Sequence, residues 1–347
     1  MSLLDSVVRA LFGGPSDQAS ATDQKLIDEM IDVIVEAVEP RVKLQSGYRA
    51  KLADGARSTI AHLRDLGRLP LPPIVLSRAA WGVDPYVRSF FSNAAEVTEC
   101  ISRSDEVRRF FEEHPGCNEA HALLGMKCTE RRVLAPRLEN GLLRQEVART
   151  TVSFSDHRLI APAADEALTR LDVGRGIIER LGQLVLARIV AVEQRAKELA
   201  HQQAHLMMKR RLLQGTRTGL QGLMVAPVGI DQQMADIDHA LKNATENYLE
   251  AKGSLSMLDG YIDHINAVLK DSGQLLGAKR VLMRLDMMGF KLDAATGDEP
   301  ANEPANDLEL TELHIGEGLR AIIALVRIPR DELAPKKDLL AQAERFL

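Results

Sequence analysis

The sequence predicts a mainly helical fold, α+β overall, organised around a long antiparallel coiled-coil hairpin. Three observations predict it. Leu, Ala, Arg and Glu dominate a chain with only 4% aromatic residues, a composition that favours helices. Ile178, Val185, Val192, Leu199, Leu206 and Leu213 recur at seven-residue spacing without a miss. Further on, Met234, Ile237, Leu241, Ala244, Tyr248, Ala251, Leu255, Leu258, Ile262, Ile265 and Leu269 alternate steps of three and four, an a/d seam free of charge.

The N-terminal segment 1–14 reads as a short amphipathic helix, with Leu3, Leu4, Val7, Val8, Leu11 and Phe12 on one face and Gly13-Gly14 as its stop. It has no basic n-region, so it is not read as a signal peptide, and a cytoplasmic location is the default expectation. Residues 15–23 read as a linker. Residues 24–161 read as a helical domain whose stripes include Ile27, Met30, Ile31 and Ile34, then Tyr48, Leu52, Ala56 and Ile60, then Val87, Phe90, Val97 and Ile101. Within it, Glu139-Asn140-Gly141 followed by the strand-forming Thr150–Phe154 predicts a β-hairpin over about 131–155, with a further helix over 137–149 as the competing reading.

The hairpin proper is placed at 162–286 with a tip loop at 215–230. Two segments of this length joined by a short connection fold most simply antiparallel, giving an arm of roughly 75 Å. Its second seam is clean. The first leaves its other track open between Arg188 and Ile189, and again between Arg195 and Ala196. Gly253 and Gly260 fall outermost in the heptad and are expected to weaken the helix without interrupting its seam. Residues 287–347 read as an acidic linker containing EPANEPAN, a small β-hairpin at 308–328, and a terminal helix from about Pro335.

Composition excludes several functions. The net charge of −5 gives no general nucleic-acid footprint, and no run of apolar residues reaches transmembrane length. No GxGxxG, no GxxxxGK[ST] and no GxSxG is present, so neither a phosphate loop nor a nucleophile elbow is expected, and no cofactor is implied. His114, Cys117, His121 and Cys128 have the right ligand types for zinc, but the spacing H-x2-C-x3-H-x6-C matches no finger or ribbon. His201 and His205 share a helix face without the Glu of HExxH. The Ser, Asp and His of TVSFSDH (151–157) are adjacent in sequence, which is no support for a triad assembled in space, and read as a strand edge and turn.

The hairpin tip carries the strongest interaction signal. No acidic residue occurs between Glu198 and Asp231, while Lys209, Arg210, Arg211 and Arg217 fall inside that span. Beside them Leu220, Leu223, Met224 and Val225 have little local structure to hide in. A basic collar next to an apolar loop suits an acidic protein or an anionic membrane surface; nucleic acid is disfavoured because no aromatic stands there to stack a base. The bland reading folds the loop onto the arm and leaves the cations favouring the helix C-terminal dipole.

VEPRVKLQSGYRAKL (38–52) and TTVSFSDHRLIAP (150–162) resemble segments of uncharacterised helical proteins from bacteria. The resemblance covers mainly the first half of the chain and implies no activity, site or cofactor. The resulting expectation is a non-enzymatic scaffold or adaptor whose coiled-coil tip meets a partner protein, or which self-associates. The alternative is peripheral membrane association through the N-terminal helix, and the most distant is an enzyme or zinc protein with its site in the N-terminal domain.

Overall fold

The computed structural model describes residues 3–12, 21–68, 71–139, 142–218, 229–292, 305–316 and 319–335. It is mainly α with a six-stranded β part, α+β overall. The chain divides into two units: residues 1–19, 59–177 and 272–347, and residues 20–58 and 178–271. The 15–23 linker falls largely outside the described residues, as do EPANEPAN up to Pro304 and the terminal helix expected after Pro335.

The first unit is a sheet packed against short helices: α4 (Arg78–Val83), α5 (Pro85–Phe90), α6 (Ala94–Arg103) and α7 (Asp105–Glu113). The apolar period predicts one helical segment from Val87 to Ile101. Local capping divides it. Asp84 Oδ1 accepts from the N–H of Tyr86 at 2.8 Å, with Pro85 at N1. Asn93 accepts from Glu96 N at 2.9 Å, and the Ser77 and Ser104 hydroxyls cap α4 and α7. Each of these side chains satisfies an orphan N–H and so starts a new helix where the apolar period alone runs on.

The strands are β1 (Ile74–Val75), β2 (Glu119–Glu139), β3 (Leu142–Ala163), β4 (Leu276–Asp286), β5 (Ala305–Ile315) and β6 (Leu319–Pro329). Their order is β3-β2-β6-β5-β4, antiparallel along this path, with β1 parallel to β6. β6 is therefore central. One side pairs with β2, and the other pairs with β5 over residues 319–323 and with β1 over 326–327. The C-terminal strands are thus part of one sheet with the strands of 119–163, not a separate appendage.

Residues 276–286, expected within the arm, form β4. Met283 and Leu285 are buried while Arg280, Leu282 and Arg284 are exposed, a period of two that the Leu-rich composition disguises. Beyond Asp286 the chain turns through Gly289 (φ +80°) and Phe290 bridges Thr151 of β3. Lys291 N donates to Thr150 O and Val152 N to Gly289 O, both at 2.8 Å, so the two outermost strands are tied together and the sheet curls back on itself. A Cβ on Gly289 would stand 3.2 Å from Val152 O, at a φ that only glycine adopts freely. Inside lies the core: Phe90, Phe91, Val97, Ile101 and Phe111 from the helices against Leu124, Met126, Phe154, Leu310 and Val326 from the strands.

β3 carries three irregularities opposite Leu123, Lys127 and Arg137 of β2, each leaving one extra residue on β3. Two coincide with left-handed residues, Asp156 (φ 55°) and Ala161 (φ 53°). Such bulges bend a strand, which the closure requires.

The second unit is helical. It contains α2 (Ala21–Val38), a 3-10 turn at Pro40–Leu44, the first half of α3 (Tyr48–Arg68), α8 (Glu166–Thr218) from residue 178, α9 (Ile230–Ser256) and α10 (Leu258–Lys270). Asp32 accepts from Tyr48 Oη at 2.7 Å and Arg49 Nη2 at 2.6 Å. Burial alone would raise its pKa, but these two bonds together with the Arg49 and Lys43 charges hold the carboxyl below the usual range. Gly55 lies buried against Asn266 and Leu269, and Gly182 against Ala37.

Every described residue of both apolar series is buried or half-buried. On the open track of α8 the structure buries Ile189 and leaves Arg188 and Arg195 exposed. The helix that begins at Ile230 does break: Met257 adopts φ −125°, ψ 155° and separates α9 from α10, between the two glycines whose combined propensity penalty falls there. Leu258 resumes the series directly afterwards.

Candidate functional site

The distal part of α8 gathers the residues singled out by charge. Lys209 and Arg211 are exposed and form no ion pair among the described residues, while Arg210 turns inward and its Nε lies 2.8 Å from Asp238 Oδ1 of α9. Met207, Met208 and Leu212 are exposed in the same turns, at 53%, 65% and 67%. Large apolar side chains so open beside two solvated cations form a mixed basic and apolar surface. Arg217 falls in the last described turn of α8; Leu220, Leu223, Met224 and Val225 lie outside the described residues. Nearer the middle, a groove of about 620 Å³ runs between α8 and α9, with Arg188, Arg195 and Glu250 on its walls and Val192 and Leu199 on its floor.

The four zinc candidates do not converge. His121 and Cys128 lie on the same strand, β2, seven residues and so roughly 23 Å apart. His114 stacks on Phe110 at 4.6 Å and its Nδ1 bonds to Phe110 O at 3.0 Å. Burial pushes the Cys128 thiol up to about 11. Among the described residues no group of three or more His, Cys, Asp or Glu is placed to hold a metal ion. His201 and His205 are exposed on α8.

TVSFSDH is part of β3. The bulge at Asp156 turns His157 inward, where its Nε2–H donates to Phe90 O at 2.8 Å and its ring stacks on Phe91 at 4.3 Å. Ser153, Ser155 and Asp156 are exposed instead, so the three residue types do not meet. Burial pulls the His157 pKa below the ordinary 6.5, with the Phe90 carbonyl and the Glu96 charge opposing it. The unfolded chain therefore binds the proton more readily than the folded one. Its contribution to stability is complete above pH 6.5 and is lost as pH falls below that value. Thermal melts at about pH 7.5 and 5.5 should show a lower midpoint at the acid end, and His157→Gln should reduce that difference. An equal difference in both proteins would remove His157 from the account.

The first unit also holds a concave site that no sequence pattern announces. A groove of about 560 Å³ is lined by Trp81, Phe90, Phe91 and Phe154, with Arg88, Met287 and Met288 at its rim. Its one carboxylate, Asp286, is held by Arg149 at 2.6 Å and accepts from Met288 N and Phe290 N, and the Ser89 hydroxyl donates to Pro85 O. No sequence signal marked it, because its walls come from segments about 200 residues apart.

The apolar face of α1 (Leu3–Phe12) is occupied: Val7, Val8 and Leu11 are buried, and Asp5 pairs with Arg175 at 2.7 Å. No helix among the described residues is long and apolar enough to cross a membrane. The chain matches no protein-family model, no curated protein and no solved structure.

Proposed function

We propose that this chain is a non-enzymatic scaffold or adaptor, and that α8 and α9–α10 form an antiparallel coiled-coil arm presenting its basic distal end to an acidic partner protein. The observation that carries the reading is the exposure of Lys209 and Arg211 beside Met207, Met208 and Leu212, in a span without a single acidic residue. Cations steer an acidic partner, and the apolar side chains supply the area that holds it. The arm is supported by the burial of both heptad series and by the Arg210–Asp238 pair between its helices. An arm orders many residues at high entropic cost, and reach is the return.

The membrane reading has less support, because docking on lipid would need the face of α1 that is already buried.

The test is capture of partners from native lysate by the intact chain, by the Lys209→Glu/Arg211→Glu variant, and by a chain with residues 215–230 replaced by a short Gly/Ser turn. The two variants should retain at least about tenfold less partner than the intact chain. Equal capture by all three would move the functional surface away from the tip.

A further inference from the structure

We propose that two copies of this chain associate through α8, the two helices running antiparallel about a two-fold axis that crosses the seam at the level of residue 195. The surface is a second stripe on α8, next to the buried one. Leu186, Val190, Glu193, Lys197, Ala200 and Ala204 follow steps of four and three, the spacing that holds residues in line along one helix face. Leu186 is 43% exposed and Val190 45%, and only Ala200 of the six is half-buried. Neither Glu193 nor Lys197 has an ion pair among the described residues.

The stripe is complementary to itself in one register. In an antiparallel seam each layer sets a residue of one track against a residue of the other track on the second helix. With the axis at residue 195, Leu186 faces Ala204 of the second copy, Val190 faces Ala200, and Glu193 faces Lys197; the two-fold repeats each layer. Every large side chain meets an alanine, which lets the helices approach, and every charge meets its opposite. The six layers cover about 27 Å of helix.

Competing arrangements lose this match. Shifted by one heptad, Leu186 meets Arg211 and both charges meet alanines. In a parallel pair Glu193 meets Glu193 and Lys197 meets Lys197. Specificity thus comes from repulsion in the alternatives as well as attraction in the chosen register. This surface lies on a different stretch of α8 from the tip, so it stands or falls independently of the proposed partner site.

A single helix pair buries less than about 1,200 Å², so the dimer should form reversibly at micromolar concentration. Sedimentation velocity of the full chain, from about 1 to 200 µM, should show the 38.2 kDa monomer giving way to a species of twice that mass. Val190→Glu should weaken association at least about tenfold, and so should Lys197→Glu, which sets glutamate against glutamate. The double variant Glu193→Lys/Lys197→Glu should restore it. These residues are exposed, so circular dichroism should show all variants folded. A monomer across the whole range would overturn the proposal, and so would a dimer indifferent to Val190→Glu or not recovered by the charge exchange.

Discussion

Replacing Asp286 with alanine is expected to lower the stability of the first unit by about 3–5 kcal/mol. The carboxylate forms a 2.6 Å ion pair with Arg149, and the two side chains are only 12% and 10% exposed. Removing the acid leaves the buried guanidinium unpaired against the Phe290 ring, 3.9 Å from its centre. The substitution also strips the N–H groups of Met288 and Phe290 of their acceptor, and those residues form the turn that ties β4 to β3. Deleting one member of a desolvated pair is worse than deleting both, so Arg149→Met/Asp286→Asn should recover part of the loss. Trp81, the only tryptophan, lies in this unit, so its fluorescence during urea unfolding reports the transition directly. A midpoint within error of the native protein would show that the pair contributes nothing.

The second large effect is expected at Gly55. A Cβ built there would lie 2.6 Å from Asn266 Oδ1 and 2.9 Å from the Cβ of Leu269, and Leu269 is completely buried and cannot retreat. Alanine improves helix propensity by about 1 kcal/mol, but forcing atoms into a filled interface costs about 1–3 kcal/mol. Gly55→Ala should therefore be neutral to destabilising, while Gly55→Val, with two further carbons and a branched Cβ, should clearly destabilise the helical unit. Far-ultraviolet circular dichroism during thermal unfolding distinguishes them. An unchanged midpoint in Gly55→Val would mean that α3 and α10 separate easily there.

What could be read from the sequence follows from how local each signal is. Ile178 through Leu213 and Met234 through Leu269 announce helices because the repeat is local, although it runs unbroken across Met257, where the second helix is interrupted. The choice between Arg188 and Ile189 was not legible, since steps of three and four fit equally and only packing decides. The sheet was legible in pieces, as strand-forming runs near 150 and 308–328. Nothing in the pattern of β6 reveals that it lies between β2 and β5. Leu276–Asp286 escaped notice because a Leu- and Met-rich strand at the end of a helical run has the same composition as more helix. His157 turns inward through one extra residue, and period-two reasoning assigns the opposite face once a bulge intervenes. Lys209 and Arg211 were legible as charge, whereas the aromatic groove near Trp81 was not, because its walls are distant in sequence.

The central position of β6 also bears on how the protein is made. Strands β2 and β3 leave the ribosome early, yet the partner that covers the other side of β2 begins only at Leu319, about 200 residues later. At synthesis rates of about 5–20 residues per second, the open edge of Ala120–Met126 waits roughly 10–40 s while both long helices emerge. An unpaired, apolar strand edge is the kind of surface on which nascent chains associate wrongly. A message truncated anywhere before Leu319 would make that exposure permanent, however well its helices folded.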